Sequence, residues 1–154
     1  MSRWYRVFGT SGAQLDPQEL LRHLSQIGGE VTGKFQVDEH GWFGVELYFR
    51  ERDLALQLDR YLAFEEGIRA ELNAWAAWIE EDGDSPDHVE LMEHLIRTVQ
   101  LFTFQGPSNP ADAEETERLC DAICQLLARA TDGVYQADQR GFFAPNGVLI
   151  LVED

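Results

Sequence analysis

The chain has 154 residues, 28 acidic and 12 basic, for a formal charge of −16. A field of that sign repels nucleic-acid phosphates and anionic membranes and attracts basic partners, although solubility alone also accounts for it. An apolar fraction of 44% with 17 aromatics (four Trp, four Tyr and nine Phe) excludes a disordered acidic tail. A chain of this size buries roughly 70% of its unfolded surface, so one domain over 1–154 needs neither a disulfide nor a metal to hold it.

From the start, Met1 to Gly9 lacks the apolar run of about 7–15 residues that a signal peptide carries. No stretch approaches the roughly 18 apolar residues of a membrane span. A cytoplasmic protein with reduced thiols is the expectation. Trp4-Tyr5-Arg6-Val7-Phe8 alternates as a strand. Asp16-Pro17 supplies an N-cap with proline at the first helical position, and Leu20, Leu21, Leu24 and Ile27 form one apolar face before Gly28-Gly29 ends the helix. An aromatic hairpin follows over 31–49.

Leu56, Leu58 and Leu62 suggest a further strand over 54–62, where the periodicity is ambiguous. From Glu65 the pattern is helical, with Ile68, Leu72, Trp75 and Ile79 at steps of three and four. Asp82-Gly83-Asp84-Ser85-Pro86 breaks that helix, and a shorter one runs from Asp87 to Arg97. Residues 99–104 alternate as a strand. The loop Gly106 to Pro110 leads to a helix with Asp112, Glu114 and Glu115 in its first turn and an apolar face of Leu119, Ile123, Leu126, Leu127 and Ala130. Thr131-Asp132-Gly133 stops it. A second aromatic hairpin follows, then the turn 144–147 and the apolar run Val148 to Val152, which reads as a central strand.

The two hairpins are related. Phe35 to Phe43 returns one hundred positions later as Tyr135 to Phe143, with Gln, Asp, Gly and Phe at matching places. The chain therefore reads as two β-α-β-β halves, about 3–49 and 99–152, around a mainly helical insert at 54–97. That predicts an α+β fold with helices over one face of a mostly antiparallel sheet. In both hairpins, Asp at the first turn position and Gly at the fourth suit a type I turn followed by a residue at positive φ.

Several residues could carry chemistry. Asp38 and Asp138 are equivalent in the repeat and could share a proton or bind a cation if the fold brought them together. The plainer account is that each accepts from its own turn backbone. Arg69 and Asn73 lie one helical turn apart, and Trp75 and Trp78 beside alanines could frame a cleft; close helix packing explains them more simply.

Residues 82–93 have Asp at positions 1 and 3 and Glu at 12 of a calcium loop, but Pro86 and Asp87 occupy the ligand and glycine positions, so a loop capped by Ser85 or Asp87 is expected. The four histidines have no metal spacing. Cys120 and Cys124 share an apolar face and read as buried structural thiols. No nucleophile or phosphate-loop motif occurs, and no cofactor or metal is implied.

The texture of Ile68 to Trp78, with Asp132-Gly133-Val134-Tyr135-Gln136, resembles an uncharacterised family of small bacterial proteins over much of the chain. The resemblance implies no activity. Small acidic α+β proteins of this kind are also broadly similar, in size and charge, to immunity proteins that neutralise bacterial toxins.

Two functions are then in view. One is a non-enzymatic interaction or inhibitor-type protein, a monomer or homodimer, that uses acidic surface against a basic partner. The other is a small-molecule or metal-assisted enzyme with its site between the halves.

Overall fold

The alternating segments become strands and the 3.6-periodic ones helices. The computed structural model describes residues 3–108 and 112–153, so Asn109 and Pro110 of the predicted loop lie outside the described residues. In chain order the elements are β1 (Trp4–Gly9), α1 (Pro17–Gly28), β2 (Val31–Asp38), β3 (Gly41–Phe49), β4 (Leu54–Leu62), α2 (Ile68–Asp82), α3 (Pro86–Ile96), β5 (Gln100–Gln105), α4 (Ala113–Ala130), β6 (Gly133–Ala137), β7 (Gly141–Phe143) and β8 (Leu149–Val152). The fold is α+β, and the ambiguous stretch 54–62 is a strand. Asp16 caps α1 by accepting from the Gln18 and Glu19 amides at 3.1 and 3.3 Å, and Asp112 caps α4 in the same way through Glu115.

All eight strands form one antiparallel sheet in the order β2-β3-β4-β5-β1-β6-β7-β8. Strands β5 and β1 are the central pair. The chain after α1 goes to β5's side, and the chain after α4 goes to β1's side. The repeat is not matched strand for strand, however. The first meander runs inward from the edge strand β2 to β4, and the second runs outward from β6 to the edge strand β8. The two related hairpins therefore sit at different depths in the sheet.

Helices cover both faces rather than the expected one. On the first face α1 and α4 bury Leu20, Leu24, Leu119, Ile123 and Leu127 against Val7, Leu47, Leu58, Phe102 and Tyr135. On the second, α2 and α3 bury Leu72, Ile79, Leu91 and Leu95 against Phe8, Leu101, Val134 and Phe142. Alternation along β1 explains the division. Tyr5 and Val7 point to one layer and Phe8 to the other, so the central strand is apolar on both sides.

The apolar run at the end of the chain is an edge strand, not a central one. Ile150 and Leu151 pack under the second layer, but Leu149 and Val152 are 47% and 50% exposed.

His94 links α3 to the sheet by donating from Nε2 to the Phe8 carbonyl at 3.0 Å. Burial lowers its pKa, and Arg97 acts in the same direction; the Phe8 hydrogen bond, Asp132 and Glu90 oppose them. A folded pKa below the unfolded value favours the neutral ring. That contribution is complete above about pH 6.5, the unfolded value, and is lost as pH falls through the folded pKa. Urea titrations at pH 7.5 and 5.5 are expected to show a smaller loss of stability on acidification for His94→Gln than for the parent chain.

Candidate functional site

Helices α2 and α3 cover only part of their face, because they sit over β1, β5 and the second meander. The same face of β2, β3 and β4 is left open. Its side chains are polar: Thr32, Lys34, Gln36, Glu46, Tyr48, Gln57 and Asp59. Gly44 lies among them; a Cβ there would come within 2.9 Å of Gln36 Oε1 and 3.3 Å of Gln57 Nε2, so its missing side chain lets these amides close over the strand.

The strand register places Gln36, Gly44, Asp59, Thr103, Arg6 and Gln136 side by side across six strands. This polar row starts on the open half and runs beneath the N-terminal part of α2. At its inner end Arg6 Nη1 donates to Asp138 Oδ1 at 2.7 Å and to Gln136 Oε1 at 2.8 Å, while the guanidinium lies 5.0 Å from the centre of the Trp75 ring. Gln136 is fully buried and satisfied, donating to Asp138 and Glu153. Burial alone would raise the Asp138 pKa; the hydrogen bonds from Gln136 and Arg6 outweigh it and hold the carboxyl below its usual range.

Where the row passes under the start of α2 there is a cleft of about 430 Å³, with Trp4, Tyr61, Thr103 and Leu101 on the sheet side and Glu66, Ile68 and Glu71 around the helix start. Trp4 is 40% exposed. The Tyr61 pKa is raised, first by burial and next by Asp59, with smaller effects in the same direction from Glu65 and Glu71; a hydrogen bond with Thr103 opposes them. The phenol thus senses a negative field. Among the described residues Asp59, Glu66 and Glu71 have no ion-pair partner.

The residues singled out in the sequence separate into different roles. Trp75 and Asp138 meet through Arg6. Trp78 packs with Trp75 and Phe142, at ring distances of 6.3 and 6.1 Å. Arg69 donates to the carbonyls of Ile96 and Thr98 at 2.9 and 3.1 Å, so it ties the end of α3 to α2, while Asn73 points to solvent. Asp38 accepts from the His40 amide at 2.8 Å within its own turn. It belongs to edge strand β2, and four strands separate β2 from β6, the strand that leads into Asp138. The structure does not bring Asp38 and Asp138 together.

Three other groupings have the right residue types for chemistry and are better explained by folding. Ser85 Oγ lies 2.6 Å from His88 Nδ1, and His88 Nε2 lies 2.9 Å from Asp82 Oδ2. That is a Ser-His-Asp chain, yet all three sit where α2 ends and α3 begins. Ser85 is the N-cap of α3 and also accepts from the His88 amide, and the imidazole packs against Gly83, so the chain fastens a helix start. Cys120 and Cys124 are buried free thiols, the first pushed up to about 12 by burial, which suppresses the reactive thiolate.

Arg60 is 5% exposed and donates to Gln100 Oε1 and to the His40 and Trp42 carbonyls, bracing the first hairpin turn from inside. Among the described residues no cluster of three or more His, Cys, Asp or Glu is placed to hold a metal ion, and no helix is long and apolar enough to cross a membrane.

Comparison with known proteins finds no matching family model, no matching curated protein and no matching solved structure.

Proposed function

We propose that the protein is a non-enzymatic interaction or inhibitor-type protein that binds a basic partner through its acidic surface. The carrying observation is that acidic groups exceed basic ones by sixteen while six of the arginines (Arg3, Arg6, Arg50, Arg52, Arg118 and Arg140) are already held in internal ion pairs. Among the described residues most carboxylates are exposed and lie in no ion pair. Exposed charge of one sign chiefly accelerates and orients encounter, and salt screens it beyond about 8 Å at physiological ionic strength. The enzyme alternative loses the paired carboxylates that motivated it, because Asp38 serves its own turn.

The test is capture of partners from a lysate of the source cells on immobilised protein, at low and high salt, with identification by mass spectrometry. A stoichiometric basic protein released by high salt is expected. A partner retained equally at both salts, or none at either, would overturn the electrostatic reading.

A further inference from the structure

The protein holds its own guanidinium groups in a recurrent way. Arg6 lies over Trp75 and bonds to Asp138; Arg140 lies 4.9 Å from the centre of the Phe143 ring and bonds to Asp121 at 2.8 Å. Each site combines an aromatic face with a carboxylate. That combination suits arginine better than lysine, because a planar guanidinium stacks on a ring and reaches carboxylates with its in-plane donors at the same time.

The cleft beside the start of α2 brings the same components to the surface. Trp4 and Tyr61 supply ring faces, and Glu66 and Glu71 supply carboxylates. Arg6 also lines it but is already committed to Asp138, Gln136 and Trp75. Asp59 adds a further negative charge in the adjoining register position, beside Thr103.

We infer that this cleft receives an arginine side chain of the partner, with the guanidinium against Trp4 and Tyr61 and paired to Glu66 and Glu71. A volume of about 430 Å³ admits one such side chain with accompanying water. The inference rests on the basic-partner reading and makes it local: one anchor residue in one cleft, in place of attraction spread over the whole surface.

The probe is a capped Gly-Arg-Gly peptide, with lysine and citrulline versions, titrated at low ionic strength while the Trp4 indole N–H signal is followed by NMR. The arginine peptide is expected to move that signal saturably, the lysine peptide to bind more weakly, and the citrulline peptide not to bind. Glu71→Gln, followed through the Trp4 signal, and Trp4→Ala, followed through the backbone amide signals of Tyr61 and Glu71, are each expected to weaken binding about fivefold, the size of a partly exposed cation–π or ion-pair contact. Glu81→Gln, which removes the same charge from the far end of α2, is expected to leave binding unchanged.

Equal weakening by Glu71→Gln and Glu81→Gln would overturn the cleft and leave the acidic-surface reading standing. So would absence of peptide binding by a protein that still captures a basic partner at low salt. Absence of both peptide binding and partner capture would remove the two together.

Discussion

Phe142→Ala is expected to cost about 3–5 kcal/mol of folding stability, the range for truncating a buried aromatic. The ring is fully buried and is one of the sheet side chains on which the second helical layer rests. Trp75 meets it edge-on at 5.7 Å, Trp78 lies at 6.1 Å and Phe8 at 6.2 Å. Removing it leaves a void under α2 bordered by two half-buried tryptophans that cannot collapse without shifting the helix. The denaturation midpoint should fall while the urea dependence stays constant, if unfolding remains one transition. Because Trp75 also stacks on Arg6, the indole signals should change in the folded variant as well. Phe142→Leu, which keeps most of the volume, should recover more than half of the loss.

Gly141→Ala should be far more damaging than Gly41→Ala, although each glycine ends an Asp-x-x-Gly sequence. Both are in the positive-φ region, at 133° and 100°, so each alanine carries the backbone strain of about 1–3 kcal/mol that a Cβ incurs there. Their surroundings differ. At Gly41 the nearest atom to a new Cβ is Gln14 Oε1 at 2.9 Å, the tip of a side chain that can swing away. At Gly141 the Cβ would collide with the Leu151 carbonyl, which is backbone of the paired strand. Relief requires β8 to separate from β7, exposing Phe142 and Leu151. Gly41→Ala is expected to fold with its sheet intact. Gly141→Ala is expected to lose hydrogen-exchange protection along β7 and β8 before any other part of the sheet, and comparable protection there in both variants would refute this account.

That contrast shows what the sequence could and could not reveal. The Asp-x-x-Gly spacing located both turns and their positive-φ glycines, because turn chemistry is local, but the second turn is not the expected type I: Gln139 sits at φ 70°, in the turn that the Arg140 amide closes on the Ala137 carbonyl. It could not show that one turn lies on an outer hairpin and the other against the central pair, since that depends on which strands become neighbours. The same limit explains β8. An unbroken apolar run does not record how many strands lie beyond it, and Val148, Leu149 and Val152 are exposed here. Helix α2 was legible as a helix, but its Ala and Trp residues did not tell which layer it would join.

The site follows the same division. Trp75 and Asp138 were visible as unusual residues, yet their link is Arg6, brought beside Gln136 by pairing between segments 130 positions apart. Arg69 drew attention for its position near Asn73, and its partners are carbonyls at the end of another helix, which have no side-chain signature. Trp4, Tyr61 and Glu71 come from three separate segments. Only the alternation that sets Trp4 and Arg6 on one side of β1 was readable in advance.

The central position of β1 has a consequence for biosynthesis. Its neighbours are β5 and β6, so Tyr5 pairs with Phe104 on one side and with Ala137 on the other. On a ribosome adding about 5–20 residues per second, Tyr5 waits roughly 7–26 seconds before Ala137 exists. During that interval Val7 and Phe8 are apolar and without their second strand partner. The nascent chain can close the β2–β3–β4 meander early, but the middle of the sheet forms only once β6 has been synthesised. Truncation or stalling before residue 133 therefore leaves a core strand exposed, and quality control would meet this protein as an open sheet rather than as a shortened domain.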